Sequence, residues 1–368
     1  MENYVRDDVM RLGFGLMRLH LKENGDIDED LARKLIDTYM ARGGRYFDTA
    51  HTYLDGRSEG VIRRHLVGRY PREDYYVATK LPLFSSPTKE GCRQMMELSL
   101  ERLGTGYVDF WLIHSLREET LTLAEECGAW DLMKEYKAAG KAKHIGFSYH
   151  DSPELLGPYL DRHPEAEFVQ LQINYFDWED DSVRARECYE VARAHGLPVI
   201  VMEPVKGGSL ALGNTEVLDL LGGKPAATAL RWVSELPGVM MILSGMNEMN
   251  QVEENTAVLS SPAPLSDYEH ANVQKAVEIL RAVPRIGCTD CRYCMEGCPM
   301  SIRIPWIIRM LNNWRVYQNA APVRREFRQW RKDSGKPSEC VGCGQCEGVC
   351  PQHLPIPELM GQAAELLE

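Results

Sequence analysis

Residues 75–114, YYVATKLPLFSSPTKEGCRQMMELSLERLGTGYVDFWLIH, decide the fold. Tyr75 to Lys80 and Val108 to His114 are short runs rich in β-branched and aromatic side chains, the composition of buried strands. Between them, TKEGCRQMMELSLERLG is amphipathic at helical period. It opens on a threonine suited to an N-cap and closes on a glycine suited to the left-handed position after a helix. The stretch therefore reads strand, helix, strand.

The same unit recurs outward in both directions. Strand candidates are Leu12 to Met17, Tyr46 to Ala50, Tyr75 to Lys80, Val108 to His114, His144 to Ser148, Phe168 to Asn174, Pro198 to Glu203 and Met240 to Ser244. Helical segments such as DEDLARKLIDTYMARG (28–43) alternate with them. Strict alternation implies a parallel sheet, and eight units in roughly 250 residues is the size of a closed (β/α)8 TIM barrel. A doubly wound sheet would more often stop near five or six strands. A dinucleotide-binding turn is also missing, since GFGLMR (13–18) is too short and opens no helix.

The segment SSPAPLSDYEH (260–270), with two prolines among small polar residues, marks a boundary, and a helix from about Asp267 to Val283 follows it. The expected organisation is a barrel over 1–262, a linker helix over 263–285 and a small cysteine-rich domain over 286–368. Eight of the eleven cysteines lie in that tail, whereas Cys92, Cys127 and Cys188 are scattered singly. A secreted disulfide framework would not leave so long a stretch barely crosslinked, so the tail cysteines read as metal ligands kept reduced in the cytoplasm.

Those eight fall into two runs of one pattern, C-x2-C-x2-C-x3-C-P: Cys288, Cys291, Cys294, Cys298 and then Cys340, Cys343, Cys346, Cys350. Three closely spaced thiolates grip three irons of a 4Fe-4S cube, and in two-cluster proteins the fourth ligand comes from the other run. Cys288, Cys291, Cys294 and Cys350 are thus expected on one cluster, and Cys340, Cys343, Cys346 and Cys298 on the second. Zinc on CxxC pairs would explain neither the third cysteine of each run nor the proline. Between the runs, SIRIPWIIRMLNNWRVYQN (301–319) is apolar at helical spacing, so a mainly α-helical ferredoxin-like module is expected. The clusters would serve either as an electron wire or as staples for a short chain.

A net charge of −12 works against phosphate-backbone binding, so no nucleic-acid partner is expected. MENYVRDDVM lacks the basic start and apolar run of a signal peptide, and no stretch reaches membrane-span length. Arg303, Arg309, Arg315, Arg324, Arg325, Arg328, Arg331 and Lys332 form a local basic exception, read either as a solvated face or as a docking patch for an acidic redox partner.

Barrel enzymes place their chemistry at the C-terminal ends of strands. Here strand two ends in Phe47-Asp48-Thr49-Ala50 with Tyr53 in the next loop, strand three in Ala78-Thr79-Lys80 and strand four in Leu112-Ile113-His114. A carboxylate, a phenol, an ammonium and an imidazole would share one mouth. Lys80 would lower the phenol's pKa, Asp48 would hold Lys80, His114 would donate to a substrate carbonyl, and Tyr53 would be the general acid.

With these residues in place the sequence resembles the aldo/keto reductases. FDTAHTYLDGRSEG (47–60), VATKLP (77–82) and VDFWLIH (108–114) are similar to the family's Asp-to-Tyr, lysine and histidine blocks, and the tail resembles a branch with a C-terminal 4Fe-4S domain. The resemblance implies a catalytic tetrad of Asp48, Tyr53, Lys80 and His114, with NAD(P)H bound without a dinucleotide fold. It also implies cofactor contacts from Ser148 in GFSYH, Gln170 in VQLQIN, and Glu254 and Asn255 in QVEEN. Ser244, Gly245 and Met246 fall where a loop after strand eight meets phosphate. EPVKGGSLALG (203–213) resembles the cofactor-covering loop, bringing in Pro204, Val205, Lys206 and Gly207.

Three residues depart from the pattern: Tyr149 for an asparagine, Met202 for the ring that stacks on nicotinamide, and Gln251 for an arginine on the 2′-phosphate. The expected reaction is reversible reduction of a carbonyl to an alcohol. A cube takes one electron whereas nicotinamide gives two, so the clusters imply either a structural role, an external ferredoxin or flavoprotein, or a flavin in a mouth reshaped by Met202 and Tyr149. A non-catalytic redox sensor is the alternative of another class, and the tetrad argues against it. Trp130, Phe176 and Trp178 read either as a pocket wall or as packing.

Overall fold

The computed structural model describes residues 4–22, 24–211, 213–331 and 334–368. Eight parallel strands close into a barrel in chain order: β1 Leu12–Gly15, β2 Tyr46–Asp48, β3 Tyr76–Leu81, β4 Val108–Leu116, β5 Ala142–Tyr149, β6 Phe168–Gln172, β7 Val199–Met202 and β8 Val239–Ser244. Every strand candidate is found. The first is shorter than expected, because Leu16–Arg18 coil into a 3-10 turn, and the sixth stops at Gln172.

Helix ends obey local chemistry. Asp28 accepts from the Leu31 amide ahead of Glu29–Ala41, and Thr88 accepts from the Gly91 amide ahead of Lys89–Leu103. Gly104 closes the second helix at φ +67°, a conformation cheap only for glycine.

Because side chains alternate along a strand, each contributes to two layers. Leu12, Phe14, Phe47, Val77, Trp111, Ile113, Ile145, Phe147, Val169, Val199 and Ile242 face the helices and form the main core. The opposite parity fills the barrel with Tyr46, Ala78, Phe110, Leu112, Phe168, Ile200 and Met241. Register sets which residues stand side by side at each level. Phe14 pairs with Phe47, Asp48 with Ala78, Lys80 with Leu112, Ser148 with Gln170 and Gln172 with Met202. The interior parity thus runs from apolar side chains into Asp48, Lys80, His114, Ser148, Gln170 and Met202 at the strand ends.

The chain divides into two compact units, 1–205 with 227–265, and 206–226 with 266–368. The second unit is helical, with Asp267–Ala282, Ile304–Tyr317, Ala320–Trp330 and Ile356–Leu367 as its longer helices. Its core gathers Ile304, Ile307, Ile308, Met310, Leu311, Phe327, Leu359 and Met360. The segment after Val205 packs within this unit: Arg325 donates to the Gly207 carbonyl at 2.6 Å, Asn319 to that of Gly208 at 3.3 Å, and the Asn214 amide to Tyr317 at 3.0 Å.

The basic residues of the tail are largely spent inside the unit. Arg309 pairs with Glu326, Arg315 reaches Gln362, Arg324 and Arg325 bind backbone carbonyls, and Arg303 and Arg331 lie over Trp306 and Phe327. Lys332 lies outside the described residues.

Candidate active site

The ends of β2, β3 and β4 bring together the four residues singled out from the sequence. Lys80 is fully buried, with Nζ 2.7 and 2.8 Å from the two carboxylate oxygens of Asp48 and 2.7 Å from the Thr49 carbonyl. The same ammonium stands 4.7 Å from the centre of the Tyr53 ring, which lies edge-on to His114 at 5.8 Å. Tyr53 is held there by a turn with three successive left-handed residues, Leu54, Asp55 and Gly56, and its carbonyl accepts from the Gly56 and Ser58 amides. Two non-glycine residues in that conformation are strained, a cost that marks an imposed geometry.

His114 is placed by an irregularity. The β4–β5 register shifts between Ile113 and Leu116, and Ser115 takes φ +59°, so the strand bends where the imidazole leaves it. The Ser115 amide, lost to the ladder, donates to Ser148 Oγ at 2.7 Å. Phe84, half exposed in the 3-10 turn after β3, also packs near the imidazole, with ring centres 5.9 Å apart.

Burial dominates the electrostatics. It pushes Asp48 up against the pull of Lys80, and works against the Lys80 ammonium, which Asp48 and Tyr53 nevertheless hold above the ordinary amine value. With both carboxylate oxygens in hydrogen-bond range of Nζ, we read the pair as ionised. Burial also raises Tyr53 and outweighs the lowering by Lys80, with Asp48 adding to the rise. This corrects the expectation of an acidified phenol: the proton is held more firmly than in free tyrosine. His114 lies well below the usual imidazole value, through burial and then the charge of Lys80, and is therefore neutral. Its Nδ1 is buried without a hydrogen-bond partner among the described residues.

The expected cofactor contacts separate into groups. Gln170 is buried, its amide nitrogen 3.3 Å from the Met202 sulfur and its Oε1 unpartnered among the described residues. Ser148 Oγ accepts from Ser115, which leaves its own proton to donate. Asn255 Nδ2 donates to Ser244 Oγ at 3.2 Å, joining β8 to the helix Met249–Ser260. Gln251 takes the Asn247 amide at 2.8 Å, Met246 is buried, and Gly245 and Glu254 are exposed. Pro204 is buried and Val205 partly so, whereas Lys206 and Gly207 belong to the second unit.

Tyr149 takes no part in the mouth. Its parity sends the ring into the helix-facing core against Phe147, with the hydroxyl donating to the Ser152 carbonyl at 2.7 Å. Of the two departures invoked for a flavin, only Met202 faces inward. Trp130, Phe176 and Trp178 are packing: Trp130 stacks on His163, Trp178 meets Trp232, and Phe176 is buried.

Sequence reasoning missed an ion pair at the strand ends. Arg18, in the turn after β1, donates to Glu203, just past β7, at 2.6 Å, and its charge acts on the Tyr53 phenol. Glu203 sits at φ +58°, a left-handed backbone that redirects the chain leaving β7. GFGLMR reads by itself only as a glycine turn, and nothing local ties its arginine to a residue 185 positions away.

In the second unit the eight cysteines divide between two cavities. Cys288, Cys291, Cys294 and Cys350 line one, and Cys298, Cys340, Cys343 and Cys346 line the other, both partly open to solvent. Each takes three thiols from one run and one from the other. Among the described residues no three His, Cys, Asp or Glu side chains converge closely enough to hold a single metal ion.

Comparison with known proteins agrees with this architecture. The profile of the aldo/keto reductase family matches residues 11–219, more than half of the chain, and that of a 4Fe-4S dicluster domain matches 287–354. The NADH-specific methylglyoxal reductase of Escherichia coli K12 is 26% identical over 310 residues, covering 70% of this chain and 90% of that protein. Probable aldo-keto reductase 1 of Glycine max is 24% identical over 312 residues, covering 74% and 86%. Among solved structures, an aldo-keto reductase of Bacillus halodurans in its holo form aligns with TM-score 0.57 at 26% identity, over 73% of this chain and 92% of that one. One from Klebsiella pneumoniae in complex with NADPH aligns at 0.60 and 21% identity, over 73% and 90%, and shows the shared fold. The chain therefore belongs to the aldo/keto reductase family, as an oxidoreductase carrying a 4Fe-4S dicluster domain C-terminal to its barrel.

Proposed function

We propose that the barrel reduces a small carbonyl compound to an alcohol, reversibly, with a nicotinamide as its hydride source. The observation that carries this reading is the Lys80 ammonium in contact with Asp48 and beneath the ring of Tyr53, with His114 beside it. The nicotinamide fits on a second observation. Gln170 Oε1 is a buried acceptor with no partner among the described residues, and the Ser148 hydroxyl keeps its proton to donate, so together they match the NH2 and carbonyl of a carboxamide. The bound nicotinamide supplies the hydride.

The chain's own residues do the rest. Neutral His114 donates an N–H to the carbonyl oxygen and fixes its position, which lowers the barrier as charge grows there. Tyr53 delivers its proton to that oxygen, and the ion-paired Lys80 stabilises the phenolate left behind. Asp48 keeps Lys80 charged and in place. Met202 forms a soft apolar wall, and Gln251, at the position of the expected arginine, offers no charge to a 2′-phosphate. NADH is therefore accepted at least as well as NADPH.

The two cavities fit two 4Fe-4S clusters, held by Cys288, Cys291, Cys294 and Cys350, and by Cys298, Cys340, Cys343 and Cys346. Such clusters carry single electrons, and the reading includes exchange with a ferredoxin or flavoprotein in a thiol-reducing cytoplasm. The test is anoxic reconstitution, iron counting, and titration with NADH, NADPH and flavins in the presence of small aldehydes and ketones. Deuterium transfer from labelled NADH to the alcohol carbon, lost in Tyr53→Phe, is the expected result. Carbonyl reduction unchanged in Tyr53→Phe would overturn it.

A further inference from the structure

The sequence scatters Cys92 and Cys127, but the fold puts their sulfurs 3.8 Å apart, both thiols buried. Cys92 lies in the first turn of Lys89–Leu103, the helix that comes after β3 and Lys80. Cys127 caps the C-terminus of Glu118–Glu126, the helix that comes after β4 and His114. Van der Waals contact between two sulfurs is close enough for a small side-chain movement to bring them to bonding distance. We infer that Cys92 and Cys127 are an oxidant-responsive dithiol that closes to a disulfide joining the elements downstream of Lys80 and His114.

The step balances with a hydroperoxide as oxidant. The Cys127 thiolate attacks the O–O bond of hydrogen peroxide, giving a sulfenic acid, with hydroxide leaving and taking a proton to become water. The Cys92 thiol then attacks the sulfenyl sulfur, and a second water leaves with its proton. Two thiols lose two electrons and two protons, and one peroxide becomes two waters. The pair is polarised in that direction, since the hydrogen bond from Cys92 draws the Cys127 thiol down to about 7 and pushes Cys92 up. Cys188, the third barrel cysteine, is buried against the Asp151 carbonyl and is pushed by burial up to about 12, so it makes an internal control.

Closure is felt near the mouth. Cys92 Sγ also lies 3.5 Å from the Ser86 carbonyl, just past the turn that sets Phe84 against His114, so the sulfur that moves on closure is in contact with that turn. Burial favours a small oxidant as well, because hydrogen peroxide needs a smaller opening to reach the pair than a tripeptide disulfide does.

The test uses the full chain with its clusters, exposed under otherwise anoxic conditions to stoichiometric hydrogen peroxide, quenched by alkylation under denaturing conditions and digested with trypsin. The expected product joins peptides 90–93 and 118–134, two hydrogens lighter than the separate peptides and restored by dithiothreitol, while Cys188 stays alkylatable. In Cys92→Ser the sulfenic acid on Cys127 is stranded and captured by dimedone. Oxidised glutathione gives several-fold less linkage than peroxide. Both thiols remaining alkylatable after peroxide, or Cys127 advancing to sulfinic acid without linkage in the wild type, would overturn the inference.

Discussion

The Lys80 ammonium touches both carboxylate oxygens of Asp48, at 2.7 and 2.8 Å, inside a barrel mouth where both side chains are buried. Removing one partner of such a pair strands the other charge, which costs about 3–5 kcal/mol. Asp48→Asn is therefore expected to lower the thermal midpoint markedly, and Asp48→Asn with Lys80→Met to recover part of the loss. Calorimetry of the single and double variants checks this, and full additivity would contradict it.

Tyr53→Phe removes the proton donor without changing the shape of the mouth. Turnover should drop by roughly 100- to 10,000-fold, the usual contribution of a positioned acid, while nicotinamide affinity stays the same. Steady-state kinetics with a fluorescence binding titration separates the two.

The pH profile rests on two shifts of opposite sign. His114 lies below its ordinary value, so it is neutral and able to donate down into the acid range, and Tyr53 lies above its own, so its proton is present into the alkaline range. Carbonyl reduction should be flat between about pH 6 and about pH 9, with its basic limb above the ordinary phenol range. A fall centred near neutrality would place another group in control.

Gln170→Leu divides structure from binding. Its Oε1 has no partner among the described residues, so replacing the amide should leave stability unchanged or slightly higher. Nicotinamide affinity should weaken about 2- to 10-fold, the worth of one neutral hydrogen bond. Melting curves with and without nicotinamide report both.

Cys350→Ser should empty the cavity it shares with Cys288, Cys291 and Cys294, although it lies in the other run. Reconstituted iron should fall from about eight atoms per chain to about four. Loss confined to the cluster of Cys340, Cys343 and Cys346 would contradict the exchanged arrangement.

The eight strands and their parallel order were legible in the sequence because they rest on local composition and on strict strand–helix alternation, and Asp48 and Lys80 because they close strand candidates, whereas Ser148 and Gln170 came only with the family resemblance. The two runs of cysteines were legible because ligand spacing is a local property, and their division followed from the exchange of fourth ligands known in two-cluster proteins. Local pattern could not supply the distance between remote segments or the depth at which a group is buried. The contact of Cys92 with Cys127, the Arg18–Glu203 pair, the outward turn of Tyr149 and the packing of 206–226 within the helical unit all depend on how distant segments meet. The sign of the Tyr53 shift was decided there too, since a sequence shows which charge is nearby but not how much water has been excluded from around it.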